Sequence, residues 1–192
     1  MEALNALKKY IRRLAQDDSF VHKEWFVTYH LEIAEKLAME LCDLHKEADR
    51  NLVTALVWFH DYGKIIDFPH EHQATQDKGL SKLLELGFEH AFAEEVIQGI
   101  KLIDEKTDLP NSSIEVRIAS SADGASHLIG PFYLLYWREH PDTSISDLVL
   151  ENRRKLEIDW NKKIVLPEVR RAFKDRYHFL KEQFGEFTDK LL

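Results

Sequence analysis

Two metal-ligand side chains stand together at His60-Asp61, inside Trp58-Phe59-His60-Asp61-Tyr62-Gly63-Lys64, where an otherwise apolar stretch ends. From Asn51 to Phe59 no residue is charged, and Val53, Leu56, Val57 and His60 recur at helical spacing, so His60 is expected to face inward. Gly63 falls where a helix wants a residue able to take positive φ, which predicts a stop after the His-Asp pair. A buried histidine alone is commonly a satisfied core residue, so partners elsewhere decide the matter. His30 shares a stripe with Phe26, Ile33, Ala34, Leu37 and Leu41, which turns it to the core. Asp123 is the only formal charge between Ile118 and Ile129. A carboxylate taken out of water demands a cation or strong donors. Two imidazoles and two carboxylates from three helices suit one divalent ion, Mn, Fe, Co, Ni or Zn, with Mg less natural beside two histidines. Such a set leaves coordination positions open for water and substrate.

Helices must carry these residues. Apolar periodicity predicts them over residues 2–16, 20–46, 49–62, 73–86, 88–104, 112–129, 131–138, 144–162 and 167–184, an all-α bundle of roughly eight helices without significant sheet. Polar and proline clusters at Phe68-Pro69-His70-Glu71-His72, Thr107 to Ser113 and His140 to Ser144 separate them, and Pro167 suits a first helical turn. No repeat, low-complexity tract or linker interrupts the chain, so residues 1–192 read as one domain. Its core motif region runs over about 22–129, and helices of 144–192 pack on it.

Composition narrows the function classes. Hydrophobic residues make up 44% and charged residues 31%, which fits a compact chain and excludes general disorder. The single cysteine, Cys42, rules out an internal disulfide framework and reads as a buried thiol, in keeping with a cytoplasmic location. No stretch approaches the ~20 apolar residues of a membrane span, and Met1 to Gln16 lacks a signal-peptide core, so no membrane partner is expected. A net charge of −8 opposes general nucleic-acid binding. Between Arg153 and Arg176 nine basic residues face four acidic ones, which reads as the charged outer faces of two amphipathic helices, the alternatives being a basic rim that draws phosphate-bearing substrates or a subunit contact. The oligomeric state stays open, with a homo-oligomer allowed.

The order His30, His60-Asp61, Asp123 resembles the signature of the HD superfamily of metal-dependent phosphohydrolases. Ala55-Leu56-Val57-Trp58-Phe59-His60-Asp61-Tyr62-Gly63-Lys64 resembles that family's apolar helix ending in His-Asp-x-Gly-Lys, and Ala119-Ser120-Ser121-Ala122-Asp123 resembles the small-residue run before its last aspartate. The likeness covers about His22 to Ile129. It implies an HD-type helical bundle, His30, His60, Asp61 and Asp123 as ligands of one divalent metal, and Lys64 as a phosphate contact. Relatives holding two metals carry further histidines. His70 or His72 could supply the first, but Ile103 stands where the second is expected, which favours a single ion and counts against the oxygen chemistry of di-iron relatives. Lys64 departs from the nucleotidase branch, where an acidic residue is usual, and this weakens a deoxynucleotide monophosphatase reading.

The implied reaction is hydrolysis of a phosphoester, of a nucleotide or a related small phosphorylated metabolite, by metal-activated water. Asp61 would orient the water and Lys64 would neutralise a phosphoryl oxygen. His70, His72 and His127 are the candidate substrate contacts, the first two on a segment, Phe68 to Leu80, expected to cover the metal. His22 reads as structural. The alternative is a non-hydrolytic sensor that binds a nucleotide or other phospho-ligand in the same metal pocket.

Overall fold

A computed structural model of the chain describes residues 2–187; Met1 and the final positions 188–192 of the expected domain lie outside the described residues. The described residues are helical throughout, with no strand. The α-helices are α1 (Glu2–Leu14), α2 (Glu32–Leu44), α3 (Arg50–Phe59), α4 (Tyr62–Ile66), α5 (Glu71–Glu85), α6 (His90–Glu105), α7 (Ile114–Ser126), α8 (Phe132–Glu139), α9 (Ile145–Ile158) and α10 (Pro167–Gln183). No helix among them is long and apolar enough to cross a membrane.

The uncharged stretch after Asn51 becomes the central helix. Every residue of α3 from Leu52 to Phe59 is buried, because α1, α2, α6 and α7 pack around it. Asp49 starts it by accepting hydrogen bonds from the Asn51 and Leu52 amides. Ser113 and Ser144 cap α7 and α9 in the same way. Cys42 is buried, as expected.

Three expected helices are broken, two of them at candidate site residues and the third at residues that the fold brings to the same cavity. The stretch 20–46 is not one helix: turns lead into a π-helical turn, Val27–Leu31, that carries His30, and α2 follows. The stretch 49–62 breaks at His60-Asp61 and resumes as α4. The stretch 144–162 ends at Ile158 and passes into a second π-helical turn, Asp159–Lys163. A π turn adds a residue to the helical repeat and rotates the side chains after it, a device frequent at functional sites. Propensity scarcely registers it, since the local sequence still reads as helix.

Gly63 also has a different reason from the expected one. It lies inside α4 and not at a positive-φ stop. A Cβ there would stand 1.8 Å from the Glu71 carbonyl oxygen, so glycine is required because the start of α5 lies directly against it. The Gly63 amide also donates to Thr75 Oγ1 of α5.

Candidate metal centre

His60 ends α3 with its ring turned into the protein, His30 projects from the first π turn, and Asp123 comes from the middle of α7. Each is at most 6% exposed. Hydrogen bonds fix the direction of both rings. His60 Nδ1–H donates to the Val57 carbonyl at 2.9 Å. Ser126 Oγ–H is committed to the Asp123 carbonyl, so it accepts from His30 Nδ1–H at 3.0 Å. Both Nε2 atoms therefore carry lone pairs, and these face each other at 3.2 Å.

The carboxylates complete the arrangement. Asp61 Oδ2 lies 3.4 Å from both Nε2 atoms, while its Oδ1 accepts from Lys64 Nζ at 2.9 Å. Asp123 is built alike: Lys163 holds Oδ2, and Oδ1 points to the imidazoles at 3.6 and 3.8 Å. Among the described residues no group donates to the buried Asp123 Oδ1. Four acceptor atoms thus converge with no proton between them. Burial pushes the His30 imidazole down, so it does not supply one. Burial works to raise both carboxyls. The ammonium groups of Lys64 at Asp61 and Lys163 at Asp123 oppose it and hold both carboxyls below the usual carboxylate range. Mixed nitrogen and oxygen acceptors in this geometry fit a divalent cation, which removes the repulsion.

His127 joins the same centre. Its ring stacks on His30 with centroids 4.9 Å apart, and its Nε2 lies 3.7 Å from Asp123 Oδ1. Nδ1 is 2.9 Å from Asp159 Oδ2 and 3.2 Å from Lys155 Nζ. The ionised carboxylate only accepts, so Nδ1 bears the hydrogen and Nε2 is a third lone pair aimed at the centre. Burial and Lys155 push this imidazole down to about 3. The groups able to hold an ion are His30, His60 and Asp61 on one side and His30, Asp123 and His127 on the other, sharing His30.

A cavity of about 450 Å³ opens from the centre, reaching His30, Asp61, Asp123 and His127 at its inner end. The expected covering segment contributes to it differently from the sequence reading. Phe68 and Glu71 line the cavity. His70 does not: its side chain is 72% exposed and pairs with Asp67. His72 turns away to Asp104, Nδ1 to Oδ2 3.1 Å. Helix α5 begins two residues before the expected start, with His70 as its N-cap and off the cavity, while His72 lines a smaller pocket shared with His60, Asp61 and Asp104. Next to Asp104 is the buried Ile103.

Several lining residues carried no usable signal in sequence. Lys155 and Lys163 belong to the basic stretch assigned to outer faces, yet both line the cavity. The second π turn aims Lys163 at Asp123 and buries Asp159 completely. Close packing of that turn on α7 is permitted at Gly124, where a Cβ would lie 2.9 Å from the Lys163 Cβ, and Ser120 Oγ–H donates to the Lys163 carbonyl. His22 is also a lining residue, its Nδ1 donating to Glu139 at 2.9 Å.

No protein-family model, curated protein or solved structure matches the chain.

Proposed function

We propose that this protein is a metal-dependent phosphohydrolase of the HD type, cleaving the phosphoester of a nucleotide or a related small phosphorylated metabolite. The observation that carries the reading is the convergence of the His30 and His60 lone pairs, Asp61 Oδ2 and the unpartnered Asp123 Oδ1 at the inner end of a cavity. A closed structural site would have no such opening. When bound, a divalent ion supplies an acidified water and charge neutralisation at phosphoryl oxygens. His30, His60, Asp61 and Asp123 would hold it, with His127 Nε2 beside them.

The chain's own contribution is positioning. Lys64 and Lys163 each occupy one carboxylate oxygen and leave the other facing the centre, which orders Asp61 and Asp123 without protonating them. Their ammonium groups line the cavity, with Lys155, where an anionic substrate must lie. Asp61, one of the carboxylates that line the cavity, would accept a hydrogen bond from an attacking water. Asp159 anchors the neutral His127, and the α8 aromatics narrow the entrance and limit bulk water.

Elemental analysis of the purified protein, with phosphate release from a panel of nucleotides and simple phosphoesters under added Mn, Co, Ni or Mg, tests this reading. One ion per chain and metal-dependent release that disappears in Asp61→Ala is the expected result. Bound metal with no turnover on any ester would replace the hydrolase with a phospho-ligand sensor, and a protein that takes up no metal would sink both.

A further inference from the structure

Two buried polar atoms in the cavity wall have no use in the chemistry above. Asn152 is 2% exposed and Tyr133 5% exposed, and both line the cavity. Among the described residues neither Asn152 Nδ2 nor Tyr133 Oη has a hydrogen-bond partner. Leaving a buried donor unpaired is costly, so such atoms in a cavity wall point to a ligand that pairs them.

The position of Asn152 along α9 places that ligand's polar edge away from the metal-ligand end, while Tyr133 stands on α8. Asn152, Lys155 and Asp159 follow at spacings of three and four, hence on one helical face. At ~1.5 Å rise per residue, Asn152 stands about 10 Å along the axis from Asp159, with Lys155 between. Lys155 Nζ lies 5.8 Å from the Phe132 ring centre, and Phe132 in turn touches His127 and Trp25, with centroids 3.9 and 5.5 Å away. The cavity thus has an inner end where lysines pair with aspartates beside the metal-ligand atoms, and an aromatic outer part containing an amide that offers a donor and an acceptor in one plane. Aromatic walls with an in-plane amide are how proteins hold a nucleobase: stacking on its face and hydrogen bonds at its edge.

Charge limits the number of phosphates. Lys64, Lys155 and Lys163 are each paired with one aspartate, Asp61, Asp159 and Asp123. A divalent ion therefore adds two positive charges, matching the roughly −2 of one phosphomonoester group. Glu71, Glu139 and Glu151 add carboxylates to the wall, which oppose a second or third phosphate. The volume of about 450 Å³ lies within the range of cavities that enclose one small molecule.

We infer that the substrate is a nucleoside monophosphate, with its phosphate at the lysine end, its base between the aromatic side chains of the outer cavity, and Asn152 reading the base edge; Lys64, which weakened a deoxynucleotide monophosphatase reading in the sequence, is paired with Asp61 at the phosphate end and lies away from the base. This rests on the phosphohydrolase reading, and Asn152 is assigned to specificity and not to the chemical step.

The test compares hydrolysis of adenosine, guanosine, cytidine and uridine 5′-monophosphates, ATP and ribose 5-phosphate by the Mn-loaded full chain, Asn152→Leu and Asn152→Asp. Calorimetric binding of each monophosphate is measured in parallel. At least one nucleoside monophosphate is expected to exceed ribose 5-phosphate and ATP at least tenfold in kcat/KM. Both variants should erode that preference through KM, losing tenfold or more on the nucleotide beyond their loss on ribose 5-phosphate. Asn152→Asp keeps the side chain's shape, so it covers the case in which Asn152→Leu fails to fold. Equal turnover of nucleotides and ribose 5-phosphate, unaltered in ratio by either variant, would overturn the base subsite and leave the hydrolase standing. Absence of all turnover, with nucleotide binding that weakens in both variants, would remove the hydrolase and uphold the subsite. No turnover and no nucleotide binding would remove both.

Discussion

Two clusters of the same residue types lie side by side in this protein, and they are built in opposite ways. In the His127–Asp159–Lys155 cluster both carboxylate oxygens are answered: Asp159 is completely buried, yet it receives His127 Nδ1–H at 2.9 Å and Lys155 Nζ at 2.7 Å. In the His30–His60–Asp61–Asp123 cluster the hydrogen bonds run outward, to Val57, Ser126, Lys64 and Lys163, and the inward atoms are all acceptors. The Asp159 carboxylate is satisfied by protein groups alone, whereas the inward acceptors of the second cluster form a set that could hold a cation. Burial and residue type are alike in both, so the direction of the hydrogen bonds separates a structural network from a metal site.

The largest effect that sharpens this contrast is expected at Asp159. Asp159→Ala leaves Lys155 beside an emptied buried position and should cost about 3–5 kcal/mol in urea unfolding, while the folded protein still takes up one ion per chain. Burial works to raise the Asp159 carboxyl, but Lys155 and His127 lower it to about 2 from the ordinary 3.8. Its folded value is depressed, so its contribution to stability is full above pH 3.8 and is lost as the pH falls toward 2. Unfolding free energies measured across this window should show the loss in the wild type and a shallower dependence in the variant.

His60→Gln should do the reverse. We expect metal affinity to fall by more than about a hundredfold, with metal-free stability changed by less than about 1 kcal/mol, because one of two opposing lone pairs is removed. A large loss of apo stability with metal binding intact would break the comparison. A smaller effect is expected at Ser126→Ala, which frees the His30 ring and should weaken metal binding roughly 10- to 100-fold by titration against a chelator. His70→Ala is expected to do least: with its side chain 72% exposed, it should alter stability by less than about 0.5 kcal/mol and leave metal uptake unchanged.

Much of the metal cluster was legible in the sequence because its signals are local. An uncharged run ending in His60-Asp61, a histidine on an apolar stripe and a single carboxylate among small residues each announce burial without reference to the rest of the fold. The all-α class was legible for the same reason, since periodicity is repeated along the chain. The placement of His70 outside the cavity, and of His72 against Asp104 in a smaller pocket beside His60 and Asp61, was not legible because it depends on where α5 begins, which local periodicity does not fix. Lys155 and Lys163 failed because a lysine serving an aspartate across the fold has the same local pattern as one facing water.

The sequence by itself determined that this chain is helical and that four metal-ligand side chains face its interior, since burial follows from residue type and helical spacing. The tertiary structure alone decided which lysines hold those carboxylates, that His127 joins the centre, and where Asn152 stands. Those outcomes depend on contacts between residues far apart in the chain, such as His30 with Ser126, 96 positions on, and His30 with His127, and on two π turns that reset the angular phase of the helix. Local periodicity contains neither.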